Sequence, residues 1–184
     1  MTGRNLKLMP VLSAMLICLA SCGYHFSGEG AGPKPGLTLI AIPVFDNKTS
    51  EPNLGAKIAE ALRQEFIRKG NMKVVTVEEA EAVFKGTVRS IRVLPVAHHA
   101  VSGVANQITT ENMLMLTVDI LCEDKKTHKI LWRNPNFSYR KVYQVNSNPL
   151  QPTPVAGFDN RQAALDFLAV EMSRRIHDNF LSNF

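Results

Sequence analysis

Side chains able to do chemistry are few in this chain, and their spacing does not favour it. His98 and His99 are adjacent imidazoles in a polar stretch from Pro95 to Thr110. Two neighbouring histidines with no cysteine or carboxylate at ligand spacing do not make a zinc site. Glu78, Glu79 and Glu81 fall between two apolar runs, where a solvated turn explains them better than a general acid–base pair. No serine has the context of a nucleophile elbow, and Gly103 stands alone, so no phosphate-cradling loop is in view. No catalytic residue, metal or cofactor is expected. Cations remain. Lys125, Lys126 and Lys129 share one charged turn, and Arg89 and Arg92 share one strand. Grouped in this way they can meet phosphate through charge-assisted hydrogen bonds.

The thiol of Cys22 stands in a different context. It follows Leu19-Ala20-Ser21, at the end of a leader with two cations (Arg4 and Lys7) and an apolar run from Met9 to Ala20. Basic, apolar, then small residues is the order of an export signal. The run is far shorter than the ~20 residues that span a bilayer as a helix, which makes it a signal and not an anchor. Its Leu-small-small-Cys ending is similar to the bacterial lipobox, in which the chain is cut before the cysteine and acyl chains are placed on its sulfur and new amino group. On this reading residues 1–21 are a signal peptide and Cys22 is the lipidation site. Each buried methylene contributes about 0.8 kcal/mol, so one acyl chain holds a protein marginally, whereas two or three hold it for good. Gly23, in place of an acid, points to the outer membrane.

Without the leader, 163 residues remain, enough for one domain with one core. They carry 19 basic and 16 acidic residues, a balance of +3 spread along the chain. Nucleic acid, which asks for a concentrated basic face, is not an expected partner. Cys122 is the one thiol left besides Cys22. It lies in an alternating pattern and reads as a small buried hydrophobe.

Residues 23–36 hold five glycines and two prolines, so residues 22–36 read as a lipidated flexible tether and 37–184 as a single α+β domain. Leu37 to Val44 is a near-continuous apolar run, a strand buried on both faces. Leu54, Ile58, Leu62 and Phe66 recur every four residues and form one helical stripe, with Pro52 in the first turn and Gly70 at the end. Met72 to Val77 is a short strand and Ala82 to Leu94 a longer one, with a phase slip near Arg89-Ser90 that signals a bulge. The stretch 95–110 reads as a loop. Leu114, Leu116, Val118, Ile120 and Cys122 alternate with Met113, Met115, Thr117 and Asp119. A return strand runs through Leu131 and Trp132, and Phe137, Tyr139 and Tyr143 continue it on one face. Asp159 reads as an N-cap, with Gln162 three residues on, for a second helix through Ala164, Leu168, Met172, Ile176 and Phe180. The expected architecture is α+β: a two-layer sandwich of two amphipathic helices packed on one face of a mostly antiparallel, four- to five-stranded sheet.

Four segments carry a family resemblance. They are the lipobox with Cys22-Gly23-Tyr24-His25-Phe26; Ile42 to Thr49 followed by Glu51-Pro52; Phe84 to Val88; and Asp124 to Trp132. Together they resemble the LptE family of lipopolysaccharide-assembly lipoproteins over nearly the whole mature chain. His128 departs from the glycine often found in such a turn. The resemblance implies a non-catalytic protein, lipid-anchored on the periplasmic side of the outer membrane. Such a protein plugs and helps assemble an LptD-like β-barrel translocon at 1:1 and binds lipopolysaccharide on its way to the outer leaflet. Lys125, Lys126, Lys129, Arg89 and Arg92 are the candidate lipopolysaccharide-binding residues, on charge alone. A subunit or pilot of an outer-membrane secretion channel is the alternative. It would call for an amphipathic membrane-inserting segment, and none is visible.

Overall fold

A computed structural model describes residues 32–99, 108–145 and 154–182. The leader and Cys22 lie outside the described residues. Six strands and two helices follow in the order β1 (Leu39–Ala41), β2 (Asp46–Asn47), α1 (Leu54–Lys69), β3 (Lys73–Val74), β4 (Ala82–His99), β5 (Ile108–Asp124), β6 (Ile130–Gln144) and α2 (Pro154–Ser182). The sheet runs β3-β1-β4-β5-β6, and β2 pairs with β4 farther along the same edge as β1.

The architecture is α+β, as the two helical stripes implied, but the sheet is mixed and six-stranded. β4, β5 and β6 are antiparallel neighbours, whereas β1 pairs in parallel with both β3 and β4, and β2 in parallel with β4. The parallel part follows from α1, which returns the chain to the end of the sheet where β1 began. β1 is also shorter than the apolar run around it. Leu37, Ile40, Ala41, Ile42 and Phe45 are all buried, yet Pro43 breaks the ladder, and the chain arches out before β2 resumes pairing.

Both helices cover one face. Leu54, Ile58, Leu62 and Phe66 of α1 and Ala164, Leu168, Met172, Ile176 and Phe180 of α2 are buried in one cluster with Leu114, Leu116, Val118, Ile120 and Cys122 of β5. Phe66, Phe84, Phe180 and Trp132 interlock at the base, with ring centroids 4.9–6.4 Å apart. The close approach of the first strand segment rests on two glycines. A Cβ on Gly86 would stand 2.5 Å from the Phe45 ring, and one on Gly55 would stand 2.1 Å from the Phe45 carbonyl oxygen.

The bulge expected at Arg89-Ser90 is present. Phe84, Gly86 and Val88 oppose Cys122, Ile120 and Val118; past Arg89, Ile91 and Val93 oppose Leu116 and Leu114. The extra residue keeps the apolar phase toward the helices across the slip. Three other expectations are corrected. The stretch from Pro95 to Thr110 is not one loop, because β4 continues to His99 and β5 starts at Ile108. β2 stops opposite Val88, so beyond it β4 is an edge strand and tolerates Pro95. The second helix starts at Pro154 and not after Asp159. Proline suits a first turn, and a single helical glycine such as Gly157 costs only about 1 kcal/mol. Finally, α1 begins at Leu54, two residues after Pro52, behind a left-handed Asn53.

Candidate functional site

The helices leave the other face of β4, β5 and β6 bare. Strand alternation arranges its side chains in cross-strand rows: Lys85, Leu121 and Arg133; Thr87 and Asp119; Ser90, Thr117 and Ser138; Arg92, Met115 and Arg140; Leu94, Met113 and Val142. The face is polar and cationic as far as the Arg92 row and turns apolar at the next, where Leu94 and Val142 are exposed.

Its organising residue is Asp119. Arg89, the extra residue of the β4 bulge, pairs with Asp119 Oδ2 at 2.5 Å. On the other side β6 also carries one extra residue, and Asn136, with φ of 54°, donates its backbone N–H to Asp119 Oδ1 at 2.8 Å. These two groups, the Asn136 N–H first, hold the Asp119 carboxyl below its usual range. Lys85 pairs with Glu123 at 2.8 Å. Arg133 makes no hydrogen bond or ion pair among the described residues, although it adds to the field on Asp119.

The candidate cations separate into two places. Arg89 and Arg92 lie on the open face, but they do not form one group, because Arg89 is tied to Asp119 while Arg92 stands in the row with Arg140. Arg89 and Arg92 lie near the middle of β4, whereas Lys125, Lys126 and Lys129 lie at the β5–β6 turn, at one end of the sheet. Ala82 pairs with Asp124 there, ten residues along β4 from Arg92, a separation of about 33 Å. The turn lysines also have acidic neighbours. Lys125 donates its backbone N–H to the Glu81 carbonyl at 2.9 Å and its ammonium to the Glu78 carbonyl. Asp124 accepts Lys34 Nζ at 2.7 Å and the N–H groups of Lys126 and Thr127 at 3.0 and 2.9 Å. Glu123 takes His128 Nδ1 at 2.8 Å. The acidic connection 78–81 therefore packs against the basic turn and offsets its field. His128 has φ of 55°, so the turn does use the left-handed conformation for which glycine is best suited.

Arg140 and Arg133 are cations that sequence reasoning did not single out. Arg140 follows Tyr139, so alternation alone places it on the face opposite the aromatic stripe. Arg133 required knowledge of the register shift between Asn134 and Phe137, which reverses the alternation carried back from Tyr139.

Elsewhere, Glu65, His177 and Asp178 bring ligand-type atoms within 4.8 Å of one another. Arginines already occupy both carboxylates, Arg68 on Glu65 at 2.6 Å and Arg174 on Asp178 at 3.4 Å. The cluster is an ion-pair network at the α1–α2 seam. Burial pushes the Cys122 thiol up to about 12, as expected of an inert core sulfur. No described helix is long and apolar enough to cross a membrane.

A family model for lipopolysaccharide assembly, LptE, matches residues 37–180. No curated protein matches the chain. A solved structure from Xanthomonas campestris aligns with a TM-score of 0.52 at 7% identity, covering 79% of this chain and 84% of that one, and shows a shared fold. Looser likenesses include rare lipoprotein B from Shewanella oneidensis, with a TM-score of 0.41 at 15% identity over 76% of this chain and 91% of that one. The PelC dodecamer from Paraburkholderia phytofirmans gives 0.46 at 13% identity, over 78% and 88%. The family match spans all six strands, α1, and α2 but for its last two residues, and on it the chain belongs to the LptE family of lipopolysaccharide-assembly proteins.

Proposed function

We propose that this protein is an outer-membrane lipoprotein, anchored through acylated Cys22 on the periplasmic side, that plugs and helps assemble an LptD-like barrel at 1:1. It binds lipopolysaccharide during delivery to the outer leaflet, and it catalyses nothing. The observation that carries this reading is the family match over residues 37–180, taken with a bare cationic sheet face. A compact domain with polar faces suits the wide polar lumen of a large outer-membrane barrel.

The chain's own geometry supports an orientation. Gly32 lies against Met72, Phe180 and Leu181, and Lys34 is bound to Asp124. The described chain therefore enters the domain at the end that holds the β5–β6 turn, and the long β4–β5 hairpin extends away from it. Lipid phosphates reaching the open face meet Arg92 and Arg140, which have no ion-pair partner among the described residues. Lys125, Lys126 and Lys129 can meet phosphates at the turn, in a weaker field.

The test is capture of lipopolysaccharide by purified full-length protein. Arg92→Ala with Arg140→Ala should weaken capture about tenfold or more, in line with the loss of two charge-assisted contacts. Replacing Lys125, Lys126 and Lys129 by Glu should weaken it less. Unchanged capture by both variants would reject the cationic faces as the binding surface.

A further inference from the structure

The open face holds a cleft of about 380 Å³ at the level of the two bulges. Pro43, Val44 and Asp46 form one wall, where the chain arches over the outer edge of β4; Thr87 and Leu121 lie in the floor, and Arg133 closes the far side. Lys85, Arg89 and Asp119 also line it. Bulges on both neighbours of a single strand position, flanking a cleft, are devices that re-aim side chains. Here they turn Arg89 and the Asn136 N–H onto Asp119 from opposite sides. Asp119 is thereby satisfied and serves to fix the Arg89 guanidinium. Arg133 faces the same space with its donors unclaimed by any described residue.

The mixture of groups narrows the ligand. A bare phosphate dianion would engage the cations and leave the Asp46 carboxylate and the Thr87 hydroxyl of the cleft without a partner. A ligand that carries one oxyanion together with hydroxyl groups fits both halves: guanidinium forks take the oxyanion, and the Asp46 carboxylate and Thr87 hydroxyl take the hydroxyls. Pro43, Val44 and Leu121 offer the small apolar patch on which one face of a pyranose rests. The volume is at the small end for ligand pockets, one ring and not a chain. We propose that this cleft is a subsite for an acidic sugar, a pyranose bearing a phosphate or a carboxylate. It rests on the lipopolysaccharide reading only for the source of such a sugar.

The test follows backbone amide shifts of the full-length protein in detergent while glucosamine 6-phosphate, glucuronate, glucose or inorganic phosphate is added. The acidic sugars should shift the amides of Gly86, Thr87 and Asn136, with glucose and inorganic phosphate weaker by about tenfold. The phosphorylated and carboxylated arms report which oxyanion the cleft prefers, and response to either supports the site. Arg133→Gln, at an exposed position, should lower affinity about tenfold with an unchanged unfolding midpoint. Asp46→Asn should narrow the preference for sugar phosphate over inorganic phosphate. Equal response to inorganic phosphate, or wild-type affinity in Arg133→Gln, overturns the proposal. Lipopolysaccharide capture without any acidic-sugar shift overturns the cleft and leaves the parent function standing; acidic-sugar binding without lipopolysaccharide capture supports the cleft and rejects that function.

Discussion

Asp124 accepts Lys34 Nζ and two backbone N–H groups from its own turn while its side chain is 7% exposed. The Lys34 ammonium above all, then the Thr127 N–H, holds its carboxyl well below the usual carboxylate range. A depressed carboxyl contributes stability that is present above its unfolded pKa of about 3.9 and lost as the pH falls through the folded value. Thermal unfolding midpoints should therefore be flat from neutral pH to about 5 and fall below about 4. Asp124→Asn should be less stable at neutral pH and lose less on acidification. A variant curve parallel to wild type would show that Asp124 does not contribute to the acid limb. His128 offers the opposite change. Its left-handed backbone costs a side-chain residue roughly 1–2 kcal/mol, which glycine avoids at some cost in unfolded-chain entropy. The His128 ring is 78% exposed and its contact with Glu123 is correspondingly weak. His128→Gly should raise stability by up to about 1 kcal/mol in urea unfolding, and a loss would mean that the Glu123 contact outweighs the backbone strain.

Among elements, the arch between β1 and β2 is the most tightly fitted. Phe45 is held between Gly55 of α1 and Gly86 of β4, each too close for a Cβ. Gly86→Ala forces the Phe45 ring to move and should cost about 1–3 kcal/mol. Gly55→Ala meets a backbone oxygen, which yields less than a ring, and should cost more. Equal stability of either variant with wild type, by denaturant midpoint, would contradict this fit. Much of this layer was legible in the sequence. Period-four apolar stripes placed both helices, and strict alternation from Met113 to Cys122 placed the central strand. The broken phase at Arg89 announced its bulge. Less legible were the features that depend on distant partners. Parallel pairing of three short strands cannot be read from runs of two or three residues. The strands continued through 95–99 and 108–110 because of hairpin pairing, despite Pro95 and a polar composition. The open face was half legible: Arg92 by its strand position, Arg140 by alternation from Tyr139. Arg133 was hidden by the extra residue between Asn134 and Phe137, and the acids beside the turn lysines belong to a connection more than forty residues upstream.

At the scale of the whole molecule, one cluster of buried residues joins both helices to one face of the sheet, and the cationic side chains of β4 to β6 are left on the other. The docked Gly32–Lys34 segment brings the chain into the domain at the end that holds the β5–β6 turn. The proposed contact is a barrel wall on the outside and lipid phosphates on the open face. The full-length protein, tagged and extracted in mild detergent, should co-purify with one large outer-membrane β-barrel protein at equal stoichiometry, measured by quantitative mass analysis of the purified complex. Recovery as a free monomer, or as a homo-oligomeric ring without a barrel, would contradict the account.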